Sequence, residues 1–378
     1  MLLLEREVPA LRLFTRTRIA LVAFAAAVTP LVASAPADAG RGFDRPRLTV
    51  MTQNLYLGSP LTPALAPSVD TPEEFVAAVA QIYGTAHTTD FPARSKVIAR
   101  SIAEEQPDLI GLQEVTDWVA TPTHTGPTPP SQDFLEILTA ELKELGLDYS
   151  VAAVANNADI GPAPLVAPQF GCGLTAADCV VTLKDRDVIL VNNDTRGLHW
   201  WGARSGQYRA QQMFTPPGSA PVSFARGWVT IEAKYRGERV RFANTHLEVA
   251  EFARVQEAQA REFLTQTVRS RVALIAVGDF NTAADGTTTD TYDTLSGSLR
   301  DAWRVNPGDP GYTSGQNSTL SNATSQLDKR IDLILKRSTW RTRVRTLEAE
   351  LVNHTPFQAT APRWPSDHAG VVAAFSLR

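Results

Sequence analysis

Residues 276–282 read Ala-Val-Gly-Asp-Phe-Asn-Thr. The apolar, partly β-branched run 274–277 predicts a buried strand, and Gly278 lets the backbone turn where it ends. Residues two apart on extended chain point the same way, so Asp279 and Asn281 share a face while Phe280 turns toward the core. A carboxylate can orient and deprotonate a water, and a carboxamide can donate to a phosphoryl oxygen. Together they suit hydrolysis of a phosphate ester. The same four residues also close ordinary turns, so the rest of the chain has to decide.

The pattern recurs. Residues 47–55 alternate as a strand with Asn54 at the far end, and residues 108–115 form a strand ending near Glu114. A hairpin over 227–235 and 239–246 finishes on His246. Strands are also expected over 331–335, carrying Asp332, and over 370–375, entered through Ser366-Asp367-His368. Glu114, Asp279 and Asp367 are hard oxygen donors and Asn54 adds a carbonyl, a set that suits Mg²⁺ or Mn²⁺ and also accommodates Ca²⁺. His246 and His368 could bind zinc; beside a Mg²⁺ phosphate site they would instead stabilise the charge of the transition state. Asp332 would hold one of these rings protonated, and Arg330, two residues earlier, would approach a phosphate from the same face. Taken singly, each has a plainer role: an Asp332–Arg330 ion pair, a core histidine at 246, a turn at 366–368.

Helices are expected over 72–83 and 95–105, from a Ser131 cap to Leu145, and over 251–268. Arginines 12, 16 and 18 precede an apolar run and small residues up to Ala39, which predicts a secretory leader over 1–39, a mature catalytic domain over 40–378 and an extracellular protein. Without the leader's four Arg and three acidic residues, the 36 basic and 40 acidic residues of the chain become 32 and 37, a net charge of −5. Mild acidity disfavours a broad nucleic-acid surface. Cys172 and Cys179 are the only cysteines, and in an exported chain the pair predicts a disulfide pinning a surface insertion over 156–182.

In order, Thr52-Gln53-Asn54-Leu55, Gly111-Leu112-Gln113-Glu114-Val115, Asn244-Thr245-His246-Leu247, Gly278-Asp279-Phe280-Asn281, Arg330-Ile331-Asp332 and Ser366-Asp367-His368 resemble the motifs of the endonuclease/exonuclease/phosphatase superfamily. That group includes secreted deoxyribonucleases, abasic-site endonucleases, neutral sphingomyelinases and inositol polyphosphate 5-phosphatases. The resemblance runs from residue 47 to the C-terminus. It implies a four-layer α/β sandwich, two mixed sheets face to face with helices outside. It also implies Glu114 as principal metal ligand, helped by Asn54 and Asp367, with Asp279 activating water and Asn281 holding the phosphate. His246 and His368 would stabilise the pentavalent state, Asp332 orienting His368.

DNA and a phospholipid head group both remain open as substrate. Arg204, Arg209 and Arg226 are candidate DNA contacts, and Trp200-Trp201 is a candidate membrane-contacting loop on a monomeric protein. The rival class is a silent module that keeps the fold and binds a phospholigand or a protein partner.

Overall fold

The computed structural model describes residues 47–125, 128–173, 178–217, 220–268 and 271–378. The expected leader over 1–39 lies outside them. In chain order the elements are β1 (Arg47–Asn54), α1 (Thr62–Leu65), α2 (Pro72–Thr88), α3 (Phe91–Glu105), β2 (Leu109–Gln113), β3 (Asp117–Pro122), β4 (Gln132–Asp133) and α4 (Phe134–Glu144). Next come β5 (Tyr149–Leu165), β6 (Cys179–Asn192), β7 (Leu198–Gln207), β8 (Gln212–Phe214), β9 (Val222–Phe224), β10 (Gly227–Tyr235) and β11 (Glu238–His246). The chain continues through α5 (Ala253–Thr267), β12 (Ala273–Asp279), α6 (Thr291–Ser296), β13 (Arg300–Asp301), β14 (Asp332–Arg337), β15 (Val344–Val352) and β16 (Gly370–Leu377).

Strand alternation sorts these elements into layers. On β12, Ile275 and Val277 face one way and Leu274 and Ala276 the other; on β1, Val50 and Met51 divide likewise. One set packs between two sheets, where Val50, Leu109, Ile189, Phe242, Ile275 and Phe375 form the central core. Of the others, Met51, Ile110 and Leu190 meet Ile82, Ile98 and Leu138 of α2, α3 and α4, whereas Leu274, Ala276 and Leu333 meet Phe263 of α5 and Leu295 of α6. The result is helix, sheet, sheet, helix: a four-layer α/β sandwich. The first sheet runs β15-β16-β1-β2-β6-β3-β4, with β5 on the free edge of β6, and the second runs β13-β14-β12-β11-β10-β7.

Each sheet has one parallel pair at its centre, β1 with β2 and β11 with β12. Parallel neighbours end on the same side, so Asn54 finishes beside Gln113 and His246 beside Asp279. Antiparallel β14 then begins opposite, with Asp332 facing Asp279. Just beneath these ends the sheets nearly touch. A Cβ on Gly111 would lie 2.3 Å from Val277 Cγ2, and the buried Asn244 donates to Leu112 O (2.8 Å) and Val188 O (3.1 Å) across the gap. Glycine is required there by the sheet spacing.

Three local expectations are corrected. The 156–182 segment is mostly strand: β5 and β6 continue as a long antiparallel ribbon, and the Cys172–Cys179 disulfide closing it is buried among the residues under α2. Trp200 and Trp201 lie on β7, an edge strand paired with β10, and are 36% and 40% exposed, so they belong to a strand and not to a loop. Asp133, whose carboxylate accepts from Leu135 N and Glu136 N, caps α4 in place of Ser131. Among the described residues no helix is long and apolar enough to cross a membrane.

Candidate active site

The strand ends open into a cleft of about 610 Å³ whose polar end is lined by Glu114, Asp185, Arg226, Glu248 and Asp367. Behind it, buried, lie Asn54, His246, Asp279, Asp332 and His368. Backbone strain helps to aim two of the groups, since Glu114 (φ 53°) and Asn281 (φ 52°) both occupy the left-handed region immediately after a strand. Asn281 is held there by its own N–H donating to Asp279 Oδ1 at 2.9 Å.

Asn54 is a clamp. Its Oδ1 accepts from Tyr56 N at 2.8 Å, which turns its Nδ2 toward Glu114 Oε1 (3.0 Å) and Asp279 Oδ2 (3.1 Å). Asn54 thus turns its amide, rather than the carbonyl oxygen expected at a metal, toward the two carboxylates, which would otherwise repel one another. Glu114 also accepts from Leu57 N at 2.6 Å. Burial, then the charge of Asp367, pushes Glu114 up to about 7. Asp279 rises to about 7 through burial and then Asp332, and burial raises Asp367 as well. Such crowding of half-paired carboxylates is what a divalent cation relieves, and the donors facing the cleft, Glu114 and Asp367, are hard oxygens that fit one. Asp279, Asp332 and His368 also present ligand atoms within 4.8 Å of one another. In that trio, however, His368 Nδ1 and Asp332 Oδ2 are already hydrogen-bonded to each other at 2.7 Å, so the better fit to a metal is the Glu114 side.

Two histidines flank Asp279 Oδ2, His246 Nε2 at 3.5 Å and His368 Nδ1 at 3.9 Å. Burial alone would lower His368, but Asp332, Asp367 and Asp279 hold it well above its ordinary value. His246 goes the other way, driven well below its ordinary value by burial, then by Arg226 and His368. Arg226 Nη1 sits 2.9 Å from His246 Nδ1 and Asn281 Nδ2 lies 3.0 Å from Nε2. A guanidinium can only donate, so the ring beside it must accept and is neutral. Arg226 itself is anchored toward Glu248, 4.0 Å away.

Within this geometry the chain can be compared with known proteins. The description "Endonuclease/Exonuclease/phosphatase family" matches residues 51–368. The chain belongs to that family. Its fold is similar to that of the endonuclease/exonuclease/phosphatase protein from Bacteroides vulgatus, with 15% identity, a TM-score of 0.52, and coverage of 88% of this chain and 100% of that one. Humanized TDP2 of D. rerio gives the same identity and TM-score over 87% and 98%. D. rerio TDP2 complexed with a single-stranded DNA product gives 13% identity and a TM-score of 0.52 over 87% and 98%. No curated protein matches the chain. Family members are phosphoester hydrolases that generally use divalent metals.

Arg330 is a further correction. Its Nη1 is bonded to Asp301 Oδ2 at 2.7 Å and its Nε to Pro310 O, so it braces β13 and does not pair with Asp332. Arg204 is exposed on β7 over the Trp228 ring, and Arg209 is exposed as well, so only Arg226 of the three arginines lines the cleft. Arg94, which the sequence reading passed over, is fully buried and donates to the carbonyls of Leu55, Tyr56, Thr89 and Pro365. It ties the Asn54 end of β1 to the turn that presents Asp367 and His368. Four backbone acceptors from three segments leave no trace in the local pattern around residue 94.

Proposed function

We propose that this protein is an exported, divalent-metal-dependent phosphodiesterase that works by in-line attack of an activated water. The observation that supports the reading is the cluster at and just behind one end of the cleft: Glu114 and Arg226 on its lining, and behind them Asp279 with Asn281, the His368–Asp332 pair and a neutral His246. Glu114 and Asp367 would hold Mg²⁺ or Mn²⁺, which when bound neutralises charge on the phosphoryl group. Asp279 takes a proton from the attacking water; an oxygen–phosphorus bond forms and the ester bond opposite breaks. Its value near 7 suits a base working near neutrality. Asn281 and Arg226 hold phosphoryl oxygens, and charged His368 donates from Nε2 to the oxygen on which charge accumulates. Asp332 keeps that ring oriented and protonated. Export is supported by the basic and apolar N-terminal run, and the Cys172–Cys179 disulfide suits an oxidising compartment.

Hydrolysis of bis(4-nitrophenyl) phosphate tests this. Turnover should require Mg²⁺ or Mn²⁺, stop with EDTA, and fall by about 10² to 10⁴ in Asp279→Asn, the typical worth of a general base. Wild-type turnover in that variant would overturn the mechanism.

A further inference from the structure

The polar cleft does not end at its charged residues. Leu61, Leu65, Ile160, Leu183 and Phe224 line its far wall and also line a second, narrower cavity that opens from it. Every residue around this second cavity is apolar, among them Phe75, Trp118 and Phe214. The one indole N–H there, on Trp118, is already spent on Leu57 O at 2.8 Å. The cavity's floor is the sandwich itself, Phe75, Val79 and Ile82 of α2 with Trp118 of β3, and its outer walls come from the four-residue α1, which buries no residue, the outer part of the β5–β6 ribbon, and the short β8–β9 hairpin with Phe214 and Phe224 stacked at 4.8 Å. Protein interiors ordinarily close such gaps, and an open apolar groove joined to a reactive site is where ligand surface is buried.

We infer that this groove binds a single hydrocarbon chain of an amphiphilic phosphoester whose phosphate lies at the Glu114, Asp367 and Arg226 end of the cleft. The inference rests on the phosphodiesterase reading and names its substrate class. Two features select a chain over a nucleobase. A base carries donors and acceptors on its edges that must be matched when buried, and no polar side chain lines the groove to match them. The groove is also small, about 80 Å³ on the measure that gives about 610 Å³ for the cleft, which suits one narrow chain. The continuity of the walls fixes the direction: the chain leaves the phosphate along Leu183 and Phe224 and ends toward Phe75.

Calorimetric binding of butyl, hexyl, octyl and decyl phosphate, each below its micellar concentration and with inorganic phosphate as reference, tests the groove without requiring turnover. Each methylene buried should tighten binding about fourfold until the groove is full. Ala163→Phe, which fills the groove from β5, should flatten that dependence and leave inorganic phosphate binding unchanged. Leu65→Gln, an uncharged change at an exposed residue of α1 where the cavities join, should do the same with no risk to the core. Binding indifferent to chain length in the wild type, a dependence that survives both variants, or an equal gain from thymidine 5′-phosphate would overturn the inference. The two readings fail separately. Chain-dependent binding with no hydrolysis of 4-nitrophenyl octyl phosphate would keep the groove and remove the hydrolase; hydrolysis of that ester no faster than of its methyl analogue, with flat binding, would do the reverse.

Discussion

His368 and His246 both come within 4 Å of one carboxylate oxygen, Asp279 Oδ2, both are nearly buried, and the protein gives them opposite electrostatics. His368 enters β16 beside Asp332 and Asp367 and is held charged. His246 ends β11 beside Arg226 and is held neutral. Burial disfavours charge at both, so the difference comes from the neighbour: a carboxylate at 2.7 Å in one case and a guanidinium at 2.9 Å in the other. A site for phosphoester cleavage gains from such a split. In the proposed mechanism one ring would carry a charge toward the leaving oxygen, while the other would sit beside Arg226 without repelling it or cancelling the base on Asp279.

The largest effect should come from breaking the charged half. Asp332→Asn removes the partner that outweighs burial at His368, and the expected loss in kcat is about 10² to 10⁴, close to that of His368→Gln. The double variant should lose little more than either single one, because the two side chains act as a unit. Additive losses in steady-state kinetics would show that they act apart. A second test concerns the cation. Mg²⁺ at a hundredfold its Kd should stabilise the wild-type fold by about 2.7 kcal/mol, read as a rise in Tm, and Glu114→Gln should abolish the rise whether or not the protein turns over substrate.

The smallest effects should appear as pH-dependent stability, with opposite signs. His246 has a depressed folded-state value, so its contribution is present above about pH 6.5, the unfolded value, and is lost as pH falls below it. His368 has a raised one, so its contribution is present below about pH 6.5 and is lost as pH rises through the folded value. In EDTA, His246→Gln should flatten the acid limb of Tm against pH and His368→Gln the alkaline limb. If both flattened the same limb, the comparison would fail.

Much of the site was legible because strand ends are legible. A short β-branched run followed by a polar residue or glycine says both where a side chain points and that it lies at an edge of the core, and this places Asn54, Glu114, His246, Asp279 and His368. What those side chains bond to depends on partners far along the chain. Asn54 reads as an oxygen donor, whereas the fold turns its amide to Glu114 and Asp279, and Arg330 reads as a partner for Asp332 until Asp301, 29 residues earlier, takes its Nη1. Arg226 stands among three candidate arginines that sequence does not separate, and Arg94 is an ordinary arginine there; both join the site through contacts with the ends of other elements. The outer half of the β5–β6 ribbon is illegible because it reads Asn-Asn-Ala-Asp-Ile-Gly-Pro-Ala-Pro, which breaks alternation; register shifts along the pair absorb the irregularity.

The most direct test of the central claim is nitrogen-15 NMR of the imidazole rings at pH 7 in EDTA, with the six histidines labelled and the two signals assigned through His246→Gln and His368→Gln. The account predicts both nitrogens of His368 protonated and one nitrogen of His246 bare. Two rings in the same protonation state would contradict it.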